Sequence, residues 1–142
     1  MFIGEYNHTM DEKGRFIIPS KFRDELDGEF VVTKGLDGCL FAYGKEEWAE
    51  LAAKLRALPV SNKNARAFAR YMLAGAAQVE IDKQGRALVP QALREFVKIE
   101  KEVVLIGVGN RFELWNKDNW NEANLCAEDG ELLAEKMEDL GI

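Results

Sequence analysis

The sequence is poor in the residues from which catalytic and metal centres are built. It holds one histidine, His8, two cysteines, Cys39 and Cys126, and two serines, Ser20 and Ser61. Two distant cysteines without a CxxC spacing make neither a zinc cluster nor a disulfide framework. Cys39 lies in an apolar run and reads as a small core residue, whereas the exposure of Cys126 is open. Neither serine sits in a nucleophile-elbow motif, and no paired-carboxylate motif stands out. No enzyme activity, metal, cofactor or small-molecule substrate is therefore expected. No stretch approaches the ~18 consecutive apolar residues of a membrane span. The first residues, MFIGEYNHTMDEKGR, lack the basic start and long apolar run of a secretory signal. A cytoplasmic protein without a membrane partner is the expectation.

What is present is ordinary for a globular protein: 142 residues, 47% hydrophobic and 31% charged, enough for one domain with a real core. The net charge of −6 at first argues against a nucleic-acid partner. Its distribution weakens that objection. From Glu128 to Ile142 six acids face the single base Lys136, so five of the six net negative charges sit in this tail. A near-neutral remainder can still present a local basic patch.

The most informative feature is an internal repeat. Residues 11–26, DEKGRFIIPSKFRDEL, match residues 82–97, DKQGRALVPQALREFV. Asp11/Asp82, Gly14/Gly85, Arg15/Arg86, Pro19/Pro90 and Arg23/Arg94 are identical, and Ile17/Leu88, Ile18/Val89, Phe22/Leu93 and Leu26/Val97 agree in apolar character. After a one-residue slip, Val31-Val32 corresponds to Val103-Val104, Leu40 to Tyr43 corresponds to Phe112 to Trp115, and Trp48 to Trp120.

Each copy has the same local reading. A strand, Tyr6 to Met10 or Gln78 to Ile81, runs into a tight hairpin at Asp-x-x-Gly-Arg. Gly14 and Gly85 suit φ > 0 there, and Asp11 and Asp82 can accept hydrogen bonds from turn amides. A second strand, Phe16–Ile18 or Ala87–Val89, ends at Pro19 or Pro90. A short amphipathic helix follows, then two more strands: Phe30–Thr33 and Leu40–Tyr43, or Val103–Ile106 and Phe112–Trp115. A unit of ~70 residues or fewer rarely buries enough apolar area alone. The two copies should therefore share one core in a closed or interleaved barrel that also hides strand edges.

The repeats span 1–48 and 76–120. Residues 49–75 form a helical insert, and 121–142 an acidic helical tail. Trp48, Leu51, Ala52 and Leu55 repeat at helical spacing, with Glu46 and Glu47 at the start, Lys54 and Arg56 at the end, and Pro59 as the stop. A second helix is expected from Asn64 to Leu73, with Ala65, Phe68, Ala69 and Met72 on one face. Arg66 and Arg70, at i, i+4, read as a solvated face, with a second phosphate stripe as the alternative. Leu132, Leu133, Lys136 and Met137 suggest a C-terminal helix. Gly107-Val108-Gly109 lacks the third glycine of a dinucleotide fingerprint, and Arg111–Trp115 alternates like a strand, so a hairpin turn is expected there.

Asp-x-x-Gly-Arg-(apolar)₃-Pro followed by a short helix resembles the AbrB-type swapped-hairpin unit. Two such units in tandem, with the Met1-Phe2-x-Gly4 start, the Phe112-Glu113-Leu114-Trp115 run and Trp120, resemble the MraZ family over nearly the whole chain. The resemblance implies an α+β, double-split β-barrel assembled within one chain. It also implies a ring-like homo-oligomer associated with the nucleoid. Its function would be to bind double-stranded DNA at short direct repeats upstream of the division and cell-wall gene cluster, usually as a repressor. The acidic tail departs from that picture, having no obvious DNA contact.

Two readings of the turns stand side by side. In one, Lys13 and Arg15, and Lys83 and Arg86, project from a rigid barrel. An arginine fork can meet guanine O6/N7 or a phosphate, and a two-stranded ribbon fits the major groove. Asp11 and Asp82 then brace the turns from behind, with Arg23 as a phosphate contact. In the other, Asp11–Arg15 and Asp82–Arg86 are only structural pairs that close a turn. The resemblance favours DNA. Two rivals remain: an antitoxin-like module whose acidic tail wraps a basic partner, and a ring scaffold without nucleic acid.

Overall fold

The computed structural model describes residues 1–126 and 129–141. The side chain of Cys126, and Glu128 and Ile142 of the expected tail, lie outside the described residues.

The first copy of the repeat contributes β1 (Phe2–Thr9), β2 (Arg15–Ile17), α1 (Ser20–Arg23), β3 (Glu29–Lys34) and β4 (Leu40–Tyr43). The insert is α2 (Lys45–Arg56) and α3 (Lys63–Ala74). The second copy repeats the series as β5 (Ala77–Glu80), β6 (Arg86–Leu88), α4 (Gln91–Phe96), β7 (Glu102–Gly109) and β8 (Phe112–Asn116), followed by α5 (Lys117–Cys126) and α6 (Gly130–Lys136). Six strands form one antiparallel sheet in the order β1-β7-β8-β4-β3-β5, and β2 and β6 form a separate two-stranded ribbon. The class is α+β, as the repeat pattern implied.

The pairing corrects the simple hairpin expectation. The strands on either side of each turn do not form a ladder together. β1 pairs with β7, β5 pairs with β3, and the strand after each turn pairs with its counterpart from the other copy. In the ribbon Phe16 faces Ala87, flanked by Arg15–Leu88 and Ile17–Arg86. Strand alternation buries Phe16 and Ala87 and turns Ile17 and Leu88 outward. A large side chain opposite a small one fills the space between the copies.

Both copies feed one core. Phe16, Ile18, Phe22 and Phe30 pack with Val89, Leu93, Val103 and Phe112. Phe22 is the hub: its ring centroid lies 5.3 Å from Phe2, 5.2 Å from Tyr6 and 5.1 Å from Phe112. A second cluster includes Cys39, Phe41, Tyr43, Val104, Ile106 and Trp115 with Leu55 of α2 and Met72 of α3, and Trp120 of α5 packs against it. This is why β4 is buried along its whole length. The one buried polar side chain among the described residues, Thr33, donates to Met72 O at 2.6 Å and ties α3 to β3.

Several elements differ in detail from the sequence reading. β1 starts at Phe2 rather than Tyr6. β7 continues through Gly109, so the turn falls at Asn110–Arg111, just past the expected 107–109, with Val108 N donating to Arg111 O. Phe68, expected on the packed face of α3, is 41% exposed, while Met72 is buried. The helix α5 begins at Lys117, where the sequence reading had only a tail from residue 121. Its cap is Asn116, whose side chain accepts from Asn119 N at 2.9 Å.

Candidate nucleic-acid interface

Each turn is built the same way. Asp11 Oδ1 accepts from the amides of Lys13 and Arg15 at 2.9 Å, and Oδ2 accepts from Arg15 Nε at 2.8 Å. Asp82 does the same for the amides of Gln84 and Arg86 and for Arg86 Nε, at 2.8–2.9 Å. Asp11 N donates to Arg15 O and Gly14 N to Asp11 O, with the corresponding bonds at Asp82, Gly85 and Arg86. The replacement of Lys13 by Gln84 leaves this geometry intact because only the backbone amide takes part. The glycines have φ of 86° and 80°, a region that side chains disfavour.

The tertiary structure adds a cross-brace between the copies. Arg23 Nε donates to Ile18 O at 2.9 Å, and its guanidinium lies over Gly85 of the other copy: a Cβ there would sit 2.6 Å from Nη1. Arg94 mirrors it, donating to Val89 O at 2.9 Å and covering Gly14, again with a Cβ-to-Nη1 separation of 2.6 Å. Ile18 N also donates to Gly85 O. Each turn is thus held by an arginine from the opposite repeat. Arg23, expected on a phosphate, has its Nε engaged by its own strand and its flat face on the neighbouring turn. Arg94 was passed over in the sequence reading, although its identity with Arg23 was the available signal.

The brace brings the two turns together. A three-residue strand covers only ~7 Å between its first and last Cα, so the turns at either end of the ribbon are neighbours. Arg86 Nη1 comes within 3.9 Å of Asp11 Oδ2 across the repeat boundary. Lys13 and Lys83 are exposed, and the side chains of Arg15 and Arg86 are 29% and 28% exposed. The arginines are therefore partly held and partly accessible. The aspartates engage the Nε edge, which leaves the terminal amino groups to fork onto a paired acceptor. Glu12 is an exposed acid at the first tip, and Lys83 stands in its place at the second. The donated amides of Arg15 and Arg86, aided by their guanidinium groups, hold the carboxyls of Asp11 and Asp82 below the usual carboxylate range. Both acids are therefore anionic at neutral pH, and the braces are charged.

The MraZ family, described as "MraZ protein, putative antitoxin-like", matches the chain twice, over residues 1–71 and 72–136. The chain belongs to the MraZ family. Named relatives are similar from end to end. "Transcriptional regulator MraZ" of Clostridium beijerinckii is 55% identical over 142 residues, covering 100% of both chains. The proteins of the same name from Clostridium acetobutylicum and Acetivibrio thermocellus are each 56% identical, again over 100% of both chains.

Other chemistry-bearing residues of this MraZ chain have structural surroundings. Cys39 is fully buried, and burial first of all pushes its thiol pKa up, so it is no thiolate nucleophile. His8 lies on β1, and partial burial lowers its pKa. Among the described residues, no group of three His, Cys, Asp or Glu is placed to hold a metal ion, and no helix is long and apolar enough to cross a membrane.

Proposed function

We propose that this chain is a DNA-binding transcriptional regulator whose paired turns read double-stranded DNA. The observation that carries this reading is the union of the two Asp-x-x-Gly-Arg turns into one surface, with Arg86 reaching Asp11 of the other copy at 3.9 Å. Lys13 and Lys83 supply phosphate contacts, Arg15 and Arg86 offer forks to base edges or phosphates, and Arg23 and Arg94 position the turns that carry them. Asp11, Gly14, Asp82 and Gly85 fix the tips. A duplicated and braced surface reaches two adjacent contacts without reordering either turn, which lowers the entropic cost of binding. The end-to-end similarity to proteins named transcriptional regulators supports the same reading.

The finer function follows from the resemblance in sequence. The chain represses the division and cell-wall gene cluster from the cytoplasm, at the nucleoid. It binds short direct repeats upstream as a ring-like homo-oligomer. Several weak sites on one ring meet regularly spaced repeats and gain by effective concentration. Gel-shift titration against DNA upstream of the chain's own gene tests this. Retarded bands that appear in steps with the number of repeats are expected. No shift at low salt would overturn it.

An antitoxin-like function is the second reading, favoured by the family description and by the acidic tail. A small basic protein encoded beside the gene and co-purifying with this chain would support it over the first.

A further inference from the structure

Among the described residues, α6 makes no extensive contact with the sheet or with another α-helix. α6 and the 3₁₀ turn Glu138–Leu140 contain no buried residue, and Leu132, Leu133 and Leu140 are 54%, 41% and 71% exposed. Yet the helix is locally well specified, since Asp129 caps it by accepting from Glu131 N and Leu132 N at 3.1 and 3.2 Å. Leu133 lies on α6 with Leu132 beside it, and Met137 and Leu140 continue the series at i+4 and i+7 through the C-cap and the 3₁₀ turn. That is the anchor spacing of an amphipathic helix that lies in an apolar groove. A helix this short is marginal in water without a packing partner.

The same chain carries such a groove, unfilled, of about 590 Å³. It runs between the end of α3, β5 and α4. Ala74, Ala77, Leu93 and Phe96 line it, with Lys34 and Glu95 on its walls. Phe96 is 44% exposed, a large aromatic face left in solvent. Lys34 Nζ sits 4.9 Å from the Phe96 ring centroid and 5.7 Å from that of Tyr71, so the wall is cationic as well as aromatic. Arg70, one turn before Ala74 on α3, is exposed and has no ion-pair partner among the described residues. The groove lies at the β3–β5 end of the sheet, whereas α6 follows α5, which packs on β7 and β8.

We propose that α6 of one copy docks in the α3–β5–α4 groove of a second copy. Its leucines and Met137 cover Phe96 and Leu93. Glu131, Glu135, Glu138 and Asp139 meet the cationic side formed by Lys34 and Arg70, and Lys136, the one base of the helix, answers Glu95. Helix and groove are different surfaces, so the contact is head-to-tail, and closure of successive contacts produces a ring. The proposal rests on the oligomeric reading above and gives the acidic tail a function away from the DNA.

Light scattering after size-exclusion chromatography tests it on the full chain and on Leu133→Asp and Phe96→Asp. Both positions are already partly exposed, so the melting temperature should hold. If Phe96→Asp lowers it, Ala92→Asp, at an exposed groove position, replaces it. Each variant alone should fall from the wild-type oligomer to a monomer. An equimolar mixture should recover a dimer, because the intact helix of the groove variant finds the intact groove of the helix variant. Wild-type mass retained by either variant, or a mixture that stays monomeric, overturns the proposal while leaving the ring intact as an idea. Leu133→Asp that lowers the melting temperature without changing the mass places α6 in its own groove and overturns it too. A monomeric wild type removes the ring reading itself.

Discussion

Asp11 shows how much of a turn one carboxylate can organise. It accepts from two turn amides and one guanidinium, and its counterpart Asp82 repeats the pattern. The aspartates hold the arginines in place, and the arginines add little stability in return, because solvent screens exposed pairs of this kind. Arg15→Ala should therefore weaken DNA binding about tenfold or more, the loss of a forked contact, with a melting temperature nearly unchanged. Gel shift and a thermal melt read the two effects separately. Gly14→Val should behave in the opposite way. The glycine has φ of 86°, and an added Cβ meets Arg94 Nη1, so both the turn and its brace are disturbed. Its thermal melt should drop along with its affinity.

The acidic pKa shifts fix a pH window. Asp11 and Asp82 titrate below the ordinary value of 3.8 in the folded chain. A depressed carboxyl contributes its full stabilisation above the unfolded value and loses it as pH falls through the folded one. Turn order should accordingly be flat from neutral pH down to about 4 and disappear only below. Amide exchange at Arg15 and Arg86 would show this, and protection already fading near pH 6 would contradict it. At this scale the sequence was highly informative, because Asp, Gly and Arg at fixed offsets have few ways to close a turn. The brace was not legible. Arg23 reaches Gly85 across 62 positions of sequence, and no local pattern reports such a contact.

The elements tell a similar story with a different limit. Strand and helix periodicities marked β2, β4, β6, α2 and α3 to within a few residues, but the hairpins read at the two Asp-x-x-Gly-Arg turns named the wrong strand partners, and only the β7–β8 hairpin paired as read. The exchange of β2 and β6 depends on Phe16 fitting against Ala87 and on the shared core beneath, both long-range facts. Helix α5 carried a readable signal in the capping Asn116, obscured by the preceding strand and by weak amphipathicity. Gly107 is another long-range case. It sits opposite Gly4 in the β1–β7 ladder, and a Cβ there runs into the backbone of Phe2 and Ile3. Gly107→Val should push β1 off the sheet edge and cost about 1–3 kcal/mol by overpacking. A denaturant melt reads that loss, and hydrogen exchange should localise it to residues 2–9.

For the whole molecule the decisive quantity is where charge sits rather than how much there is. A chain of net charge −6 holds Lys13, Arg15, Lys83 and Arg86 on one surface, while six acids are concentrated from Glu128 onward. DNA affinity should fall steeply as salt rises, because each phosphate contact releases counterions. Lys13→Ala with Lys83→Ala should make the slope of log K against log salt shallower by about two. An unchanged slope would remove the lysines from the phosphate contacts. The sequence by itself determined the duplicated unit, the chemistry of each turn and the helical insert, since these follow from residue types a few positions apart. Only the tertiary structure decided that the strands exchange between copies, that each turn is braced by the other copy's arginine, and that the two tips form one surface. Those outcomes depend on packing between residues some seventy positions apart, where the fit of side-chain volumes rather than local propensity selects the partner.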